Sequence, residues 1–199
     1  MTATLILVRH AMHTDYGEIF SGRRLGVSLS AAGEQQAAAL GERLSGEAVA
    51  AVYASPRERT QATARAIAAH HGLPVETAEA LDEIDLGDWT GARLADLEGT
   101  PAFAAWNEAR DAVAPPGGEL MSAVADRVEA FAREVAARFE GRTLVLVSHA
   151  DAIRAFVLRV LGITFRDFWR IEIGPASVSR LLFGAWGGKV LSLNEGAAA

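Results

Sequence analysis

"TLILVRH", residues 4–10, and "TLVLVSH", residues 143–149, are nearly the same heptapeptide. Each opens on Thr-Leu, runs through aliphatic residues and stops on a histidine. The apolar runs Leu5 to Val8 and Leu144 to Val147 are too short to be helices on their own. They suit strands buried on both faces of a parallel sheet. The flanking sequences do not match, so this is no fold repeat; two strands meet the same requirement. In open α/β sheets, ligands bind beyond the carboxyl ends of the strands. If the two strands are parallel neighbours, His10 and His149 emerge at one sheet edge.

Between the two heptapeptides the pattern alternates. Ser30 can cap a helix from about Ala31 to Leu44, with Ala37, Leu40 and Leu44 on its apolar stripe. Residues 48–53 read as a further strand. Ser55-Pro56-Arg57-Glu58 reads as a helix start, with Ser55 as cap, Pro56 in the first turn and Glu58 completing a capping box. That helix runs to about His71, where Gly72 ends it, and Val75 to Thr77 suggests a short edge strand. Residues 84–118 read as loops with one or two short helices. A long helix is expected over 119–139, and another after His149. The tail reads as a hairpin, 177–183 and 189–193, turning around Gly187-Gly188. Strands alternating with helices predict an α/β three-layer sandwich with a mostly parallel central sheet flanked by helices. No linker divides the chain, so residues 1–199 are expected to form a single domain.

Half of the 199 residues are hydrophobic, enough for a sizeable core. The net charge of −6 argues against a nucleic-acid partner and against binding to an anionic membrane surface. The absence of cysteine excludes disulfides, Cys-ligated zinc and thiol catalysis. No apolar run is long enough to span a bilayer, and the first one leads straight into Arg9-His10, unlike a secretory signal. The expectation is a cytoplasmic protein, with its oligomeric state open.

Arg9 adjoins His10, and Arg57 and Arg59 lie in the first turn of the helix that follows strand 48–53. A cation opposes the dipole at a helix N-terminus, so arginines there make better sense facing an anion that the helix also attracts. Two histidines, two or three arginines and a helix terminus describe a phosphate-sized pocket. An unprotonated imidazole can attack phosphorus and carry the phosphoryl group, while the other ring nitrogen is held by an acceptor. Arginines and a second, protonated histidine would neutralise the equatorial oxygens. A carboxyl group with a raised pKa would protonate the leaving oxygen.

With these features in order, the chain resembles the histidine phosphatase superfamily, branch 1, the phosphoglycerate mutase-like proteins. The motifs are LVRHA at 7–11, SGRRLGVSLSAAGEQQA at 21–37, YASPRERTQATA at 53–64, LDEIDLGDWTG at 81–91, PPGGE at 115–119 and VSHADAIR at 147–154. Each is weak alone; their order and spacing are specific, and they cover nearly the whole chain. The resemblance implies that His10 is the nucleophile and that Arg9, Arg59 and His149 bind the transferring phosphoryl group. It implies that Glu83 is the proton donor, with Asp82 and Asp85 as rivals on sequence alone. Ser21, Gly22, Arg23 and Ala150 would line the phosphate or substrate side, and residues 84–118 would form a substrate-side region. No metal and no cofactor are implied. The implied activity is hydrolysis of a small phosphorylated metabolite through a phosphohistidine on His10, closest to the broad phosphatases and α-ribazole phosphatases. The alternatives are a cofactor-dependent phosphoglycerate mutase-type phosphotransferase and a non-catalytic phosphate-binding protein. Mutases of this type carry a substrate-binding insertion for which residues 84–118 are too short.

The chain departs from the family pattern at several points. Ala11 and Ala150 stand where glycine is usual, Met12-His13 replaces the common Glu-Thr, Tyr16 replaces a frequent asparagine, and Arg57 occupies a usually apolar position. His10 and His13 form an H-x-x-H pair, but no HExxH pattern or cysteine supports zinc. His13 either flanks the pocket or is exposed. Trp89 and Trp106 could shape a lid or anchor a core.

Overall fold

A computed structural model describes residues 2–196. The two heptapeptides form neighbouring parallel strands, β1 (Thr2–Arg9) and β4 (Thr143–Ser148), in a register that sets Leu5 beside Leu144 and Arg9 beside Ser148. With β2 (Val49–Ala54), β3 (Val75–Thr77), β5 (Val178–Gly184) and β6 (Gly187–Glu195), they make a six-stranded sheet of order β3-β2-β4-β1-β5-β6. The pairings from β3 to β1 are parallel, and β5 and β6 join antiparallel beyond β1. The sheet is therefore mostly parallel, and β3 is an edge strand.

The strand period of two divides each apolar run between two cores. Leu5, Leu7, Leu144 and Leu146 face one side, where α5 (Met121–Arg138) and α6 (Ala150–Leu161) pack with Val124, Val128 and Phe156. Ile6, Val8, Val145 and Val147 face the other, against α1 (Ala31–Leu44) and α2 (Glu58–Ala69) with Leu40, Leu44 and Ile67. Burial on both faces is why these strands read as unbroken aliphatic runs. Residues 84–118 contain a 3₁₀ turn at Gly87–Trp89 and the short helices α3 (Leu94–Leu97) and α4 (Pro101–Glu108). Among the described residues no helix is long and apolar enough to cross a membrane.

Two local expectations change, and one left open is decided. Ser55 and Glu58 form no capping box: α2 has Arg57 at its cap position, with no side-chain cap, and Glu58 instead accepts from the Gly26 amide at 2.9 Å. The Ser55 hydroxyl is instead drawn between a buried imidazole, His149, and a carboxylate, Asp82. The tail hairpin turns at Ala185-Trp186, not at Gly187-Gly188, because Gly184 and Gly187 are the last cross-strand pair. Gly187, at φ +106°, supplies the conformation that leaves this two-residue loop, and a Cβ on Gly188 would lie 2.6 Å from Phe183. Trp89 and Trp106 are core anchors: they are buried, pack edge-on with centroids 5.5 Å apart, and join Phe20 and Phe103 in one aromatic cluster.

The loop after β1 is tied down from both helices of its side. The Ala11 amide donates to Thr63 on α2 at 3.1 Å, and the Met12 amide to Gln36 on α1 at 2.9 Å. Ser30 caps α1 by accepting from the Gly33 amide at 3.1 Å. Gly33 lets that helix approach so closely that a Cβ there would sit 1.8 Å from the Met12 carbonyl oxygen.

Candidate active site

Because β1 and β4 end in register, His10 and His149 stand side by side, their rings 5.1 Å apart, and both are buried. The His10 amide donates to the Ser148 carbonyl at 2.9 Å, which joins the two strand ends. His10 Nδ1 lies 2.8 Å from the Ala11 carbonyl, which can only accept; Nδ1 therefore carries the proton and Nε2 the lone pair. Arg59 Nε donates to that Nε2 at 3.3 Å. Burial first, then the charges of Arg59 and Arg9, push the His10 pKa well below the ordinary value, so the ring is neutral.

Arg59 reaches both rings. Its Nη2 donates to the Gly22 carbonyl at 2.6 Å and to His149 Nδ1 at 3.1 Å. An accepting Nδ1 leaves the proton of His149 on Nε2, which donates to Ser55 Oγ at 2.7 Å; the Ser55 hydroxyl donates to Asp82 Oδ1 at 3.1 Å. Arg57 holds Asp82 in turn, through Nε at 3.1 Å and Nη2 at 2.9 Å, which accounts for an arginine at that position. Burial and Arg59 lower the His149 pKa well below the ordinary value. The second histidine, expected to be protonated, is therefore neutral in this arrangement. Arg9 Nε and Arg59 Nη1 are among the buried arginine nitrogens that have no hydrogen-bond partner among the described residues. Arg9 is anchored by Nη1 to the Ile173 carbonyl at 2.6 Å.

Arg9, His10, Arg59 and Glu83 line one open cavity, together with Ser21 and Gly22. Glu83 Oε1 accepts from the Ile84 amide at 2.9 Å and from the Ala152 amide, in the first turn of α6, at 3.2 Å. Burial and the nearby Asp151 carboxylate raise the Glu83 pKa to about 7, against the Ile84 hydrogen bond and the charges of Arg59 and Arg9. Its rivals are committed elsewhere: Asp82 to Arg57 and Ser55, Asp85 to the Gly87 amide at 2.9 Å. Arg23 is not among the cavity-lining residues. Its Nε donates to the Glu83 carbonyl at 2.8 Å and its Nη2 to Glu119 at 2.9 Å. His149, fully buried behind His10 and Arg59, and Ala150, which opens α6 directly after it, also lie outside the lining.

Of the two positions left open for His13, the structure takes the pocket, and Asp151 joins the lining without having been singled out in the sequence. His13 is buried beside His10, ring centroids 5.2 Å apart; its Nδ1 accepts from the Asp15 amide at 3.2 Å, and burial lowers its pKa to about 4. Its Nε2–H is thus the remaining donor. Asp151 lines the cavity and pairs with Arg110 at 3.2 Å. Its place two residues after His149, in the first turn of a helix, was the available signal.

A neutral imidazole with a free lone pair, unpartnered arginine N–H groups and a carboxyl group poised near neutrality are groups that phosphoryl transfer can use. The chain belongs to the histidine phosphatase superfamily (branch 1), whose family model matches residues 5–196. It is a phosphoric monoester hydrolase of that superfamily. Among similar proteins, phosphoserine phosphatase 1 of Hydrogenobacter thermophilus is 37% identical over 180 residues, covering 88% of this chain and 84% of the relative. The adenosylcobalamin/alpha-ribazole phosphatase of Escherichia coli is 30% identical over 173 residues, covering 85% and 84%. The structure of a mycobacterial glucosyl-3-phosphoglycerate phosphatase superposes with a TM-score of 0.88 at 27% identity, over 98% of this chain and all of that one.

Proposed function

We propose that the protein hydrolyses a small phosphorylated metabolite by a two-step route in which His10 is the nucleophile and Glu83 the proton donor. His10 Nε2 attacks phosphorus and the bond to the ester oxygen breaks. Glu83 gives its proton to the departing alkoxide. The Glu83 carboxylate then takes a proton from the water that attacks the phosphohistidine. The phosphorus–nitrogen bond breaks, His10 is regenerated and inorganic phosphate leaves. Arg9 Nε and Arg59 Nη1 donate to the equatorial oxygens, with no change in their own protonation. His149 Nδ1 carries no proton in the arrangement above. A phosphate dianion beside it reverses the local field and favours uptake of a proton there.

The observation that carries this reading is the tautomer of His10. The Ala11 carbonyl holds the proton on Nδ1 and keeps the Nε2 lone pair against Arg59, in the cavity that Glu83 also lines. Two arginines supply the positive charge, and we extend the reading to a metal-independent reaction in the cytoplasm. Residues 84–118 contribute the substrate-side wall through Ile84, Leu86 and Leu94.

The test is a single-turnover reaction with a phosphomonoester, quenched and mapped. Acid-labile, base-stable phosphate on the His10 peptide is expected, absent from His10→Ala, with turnover unchanged by EDTA. Phosphate release by His10→Ala at the parent rate would overturn the assignment of the nucleophile.

A further inference from the structure

We infer that the leaving-group side of this cavity selects phosphomonoesters of uncharged alcohols and rejects those whose alcohol carries a carboxylate or a second phosphate. The inference rests on the phosphatase reading above and concerns the part of the cavity that faces away from the arginines.

Among the described residues, Arg9 and Arg59 are the cations that line the cavity, and both belong to the phosphoryl cradle. Tyr16, Ile19, Phe20, Leu86 and Leu94 line it as well, so much of the remaining wall is apolar. Phe20 is braced edge-on by Phe103 and Trp106, at 5.6 and 6.1 Å between centroids, so this wall is backed by packed core. The charged groups outside the cradle that line the cavity are carboxyls, Glu83 and Asp151.

Three cations just outside are held in ion pairs. Arg24 pairs with Asp15 at 3.1 Å, and Arg23 with Glu119 at 2.9 Å. Arg110 is buried, 3.6 Å from the Trp106 ring centroid, and pairs with Asp151. Arg93 lines an adjoining groove together with two acids, Glu18 and Glu98.

A carboxylate on the substrate's alcohol would therefore lose water against an apolar wall, meet the Asp151 carboxylate and find no cation on that wall to pair with. Such an unpaired anion is disfavoured by desolvation and by like charge together. An uncharged alcohol meets neither penalty. Its apolar atoms gain from contact with the wall, and a hydroxyl can accept from His13 Nε2–H, the donor left by the bond from the Asp15 amide.

Two substrate pairs isolate one carboxylate each: glycerol 3-phosphate against 3-phosphoglycerate, and phosphoethanolamine against O-phosphoserine. Initial rates of phosphate release give kcat/KM for each, with butyl phosphate as an apolar reference. The carboxylate-free member is expected to lead by about tenfold or more in both pairs, a difference of ~1.4 kcal/mol in transition-state binding. Butyl phosphate should at least match glycerol 3-phosphate. Ile19→Arg, which adds a cation to the apolar wall, should narrow the first ratio. Equal or reversed preference in either pair, or a ratio unmoved by Ile19→Arg, would overturn the selectivity while leaving the phosphatase reading intact. No release from any of the five esters would overturn the phosphatase reading itself, and this one with it.

Discussion

Ser55 Oγ lies 2.7 Å from Nε2 of His149, and both side chains are buried. The hydroxyl passes the contact on to Asp82, so a carboxylate fixes the tautomer of a histidine that it does not touch directly; His149 Nε2 and Asp82 Oδ1 are 3.7 Å apart. The linked hydrogen bonds leave Nδ1 as the atom of His149 that meets Arg59 and, in the proposed reaction, the phosphoryl oxygens.

Ser55→Ala removes the relay but leaves every proposed phosphate ligand in place. We expect kcat/KM to fall about tenfold, the cost of leaving a buried N–H unpaired. The ¹⁵N shifts of His149 should show the Nε2–H tautomer giving way to a mixture. A fall in rate with an unchanged tautomer would assign Ser55 a packing role only.

Glu83 titrates near pH 7, so the protonated form needed to serve the leaving oxygen is depleted above that pH. The rate on an alkyl phosphate should decline through an alkaline limb near 7. Glu83→Gln should lose about 10²–10³-fold on alkyl esters and far less on p-nitrophenyl phosphate, whose leaving group needs no proton. Stability provides a second check. The folded pKa lies above the unfolded one, so the folded state binds the extra proton between them, and stability falls as pH rises from about 4.5 to about 7. Glu83→Gln should therefore match the parent's thermal midpoint at pH 4 and exceed it at pH 8. A parent that loses no stability relative to the variant across that range would contradict the raised pKa.

Asp151 raises the Glu83 pKa through its charge and is itself paired with Arg110. In Asp151→Asn the negative field is gone and Arg110 is left without its carboxylate. Both changes favour ionised Glu83, so the alkaline limb of the rate profile should move to lower pH. A limb that stays in place would mean that burial alone sets the Glu83 pKa.

The sheet and its two histidines are legible in the sequence because strands buried on both faces must be aliphatic throughout. Their matching ends then align two imidazoles by register alone. The motif order supplies Arg59 and Glu83 in the same way. The role of Ser55 is hidden because Ser-Pro-x-Glu has the local chemistry of a helix cap; only the tertiary approach of His149 and Asp82 draws the hydroxyl elsewhere. Arg23 reads as a substrate-side residue because it follows Ser21-Gly22, yet Glu119, 96 residues downstream, and the Glu83 carbonyl draw its guanidinium onto the loop that carries Glu83. Long-range ion pairs of this kind leave no periodicity to read.

Arg127, from α5, is the counterpart of Arg23 on that loop. Its Nη1 donates to the carbonyls of Ala80 at 2.8 Å and Asp82 at 2.7 Å, and its Nη2 to that of Glu83 at 3.0 Å. Nε and Nη2 also hold Glu119, at 3.0 and 3.1 Å, so all five N–H bonds of the guanidinium are used. The loop that carries Glu83 is thus bolted to a long helix, at three carbonyls, by a residue that does not line the cavity. Arg127→Met leaves the carbonyls of Ala80 and Asp82 unpaired, that of Glu83 keeping its bond from Arg23, and should lower the thermal midpoint by about 2–4 °C for each kcal/mol lost. With Glu83 displaced and the arginine cradle intact, kcat should fall about tenfold while KM changes little. Lysine has a single ammonium in place of the planar fork, so Arg127→Lys should restore only part of either loss. If Arg127→Met lowers the midpoint without altering kcat or its alkaline limb, the clamp supports the fold and does not position the acid.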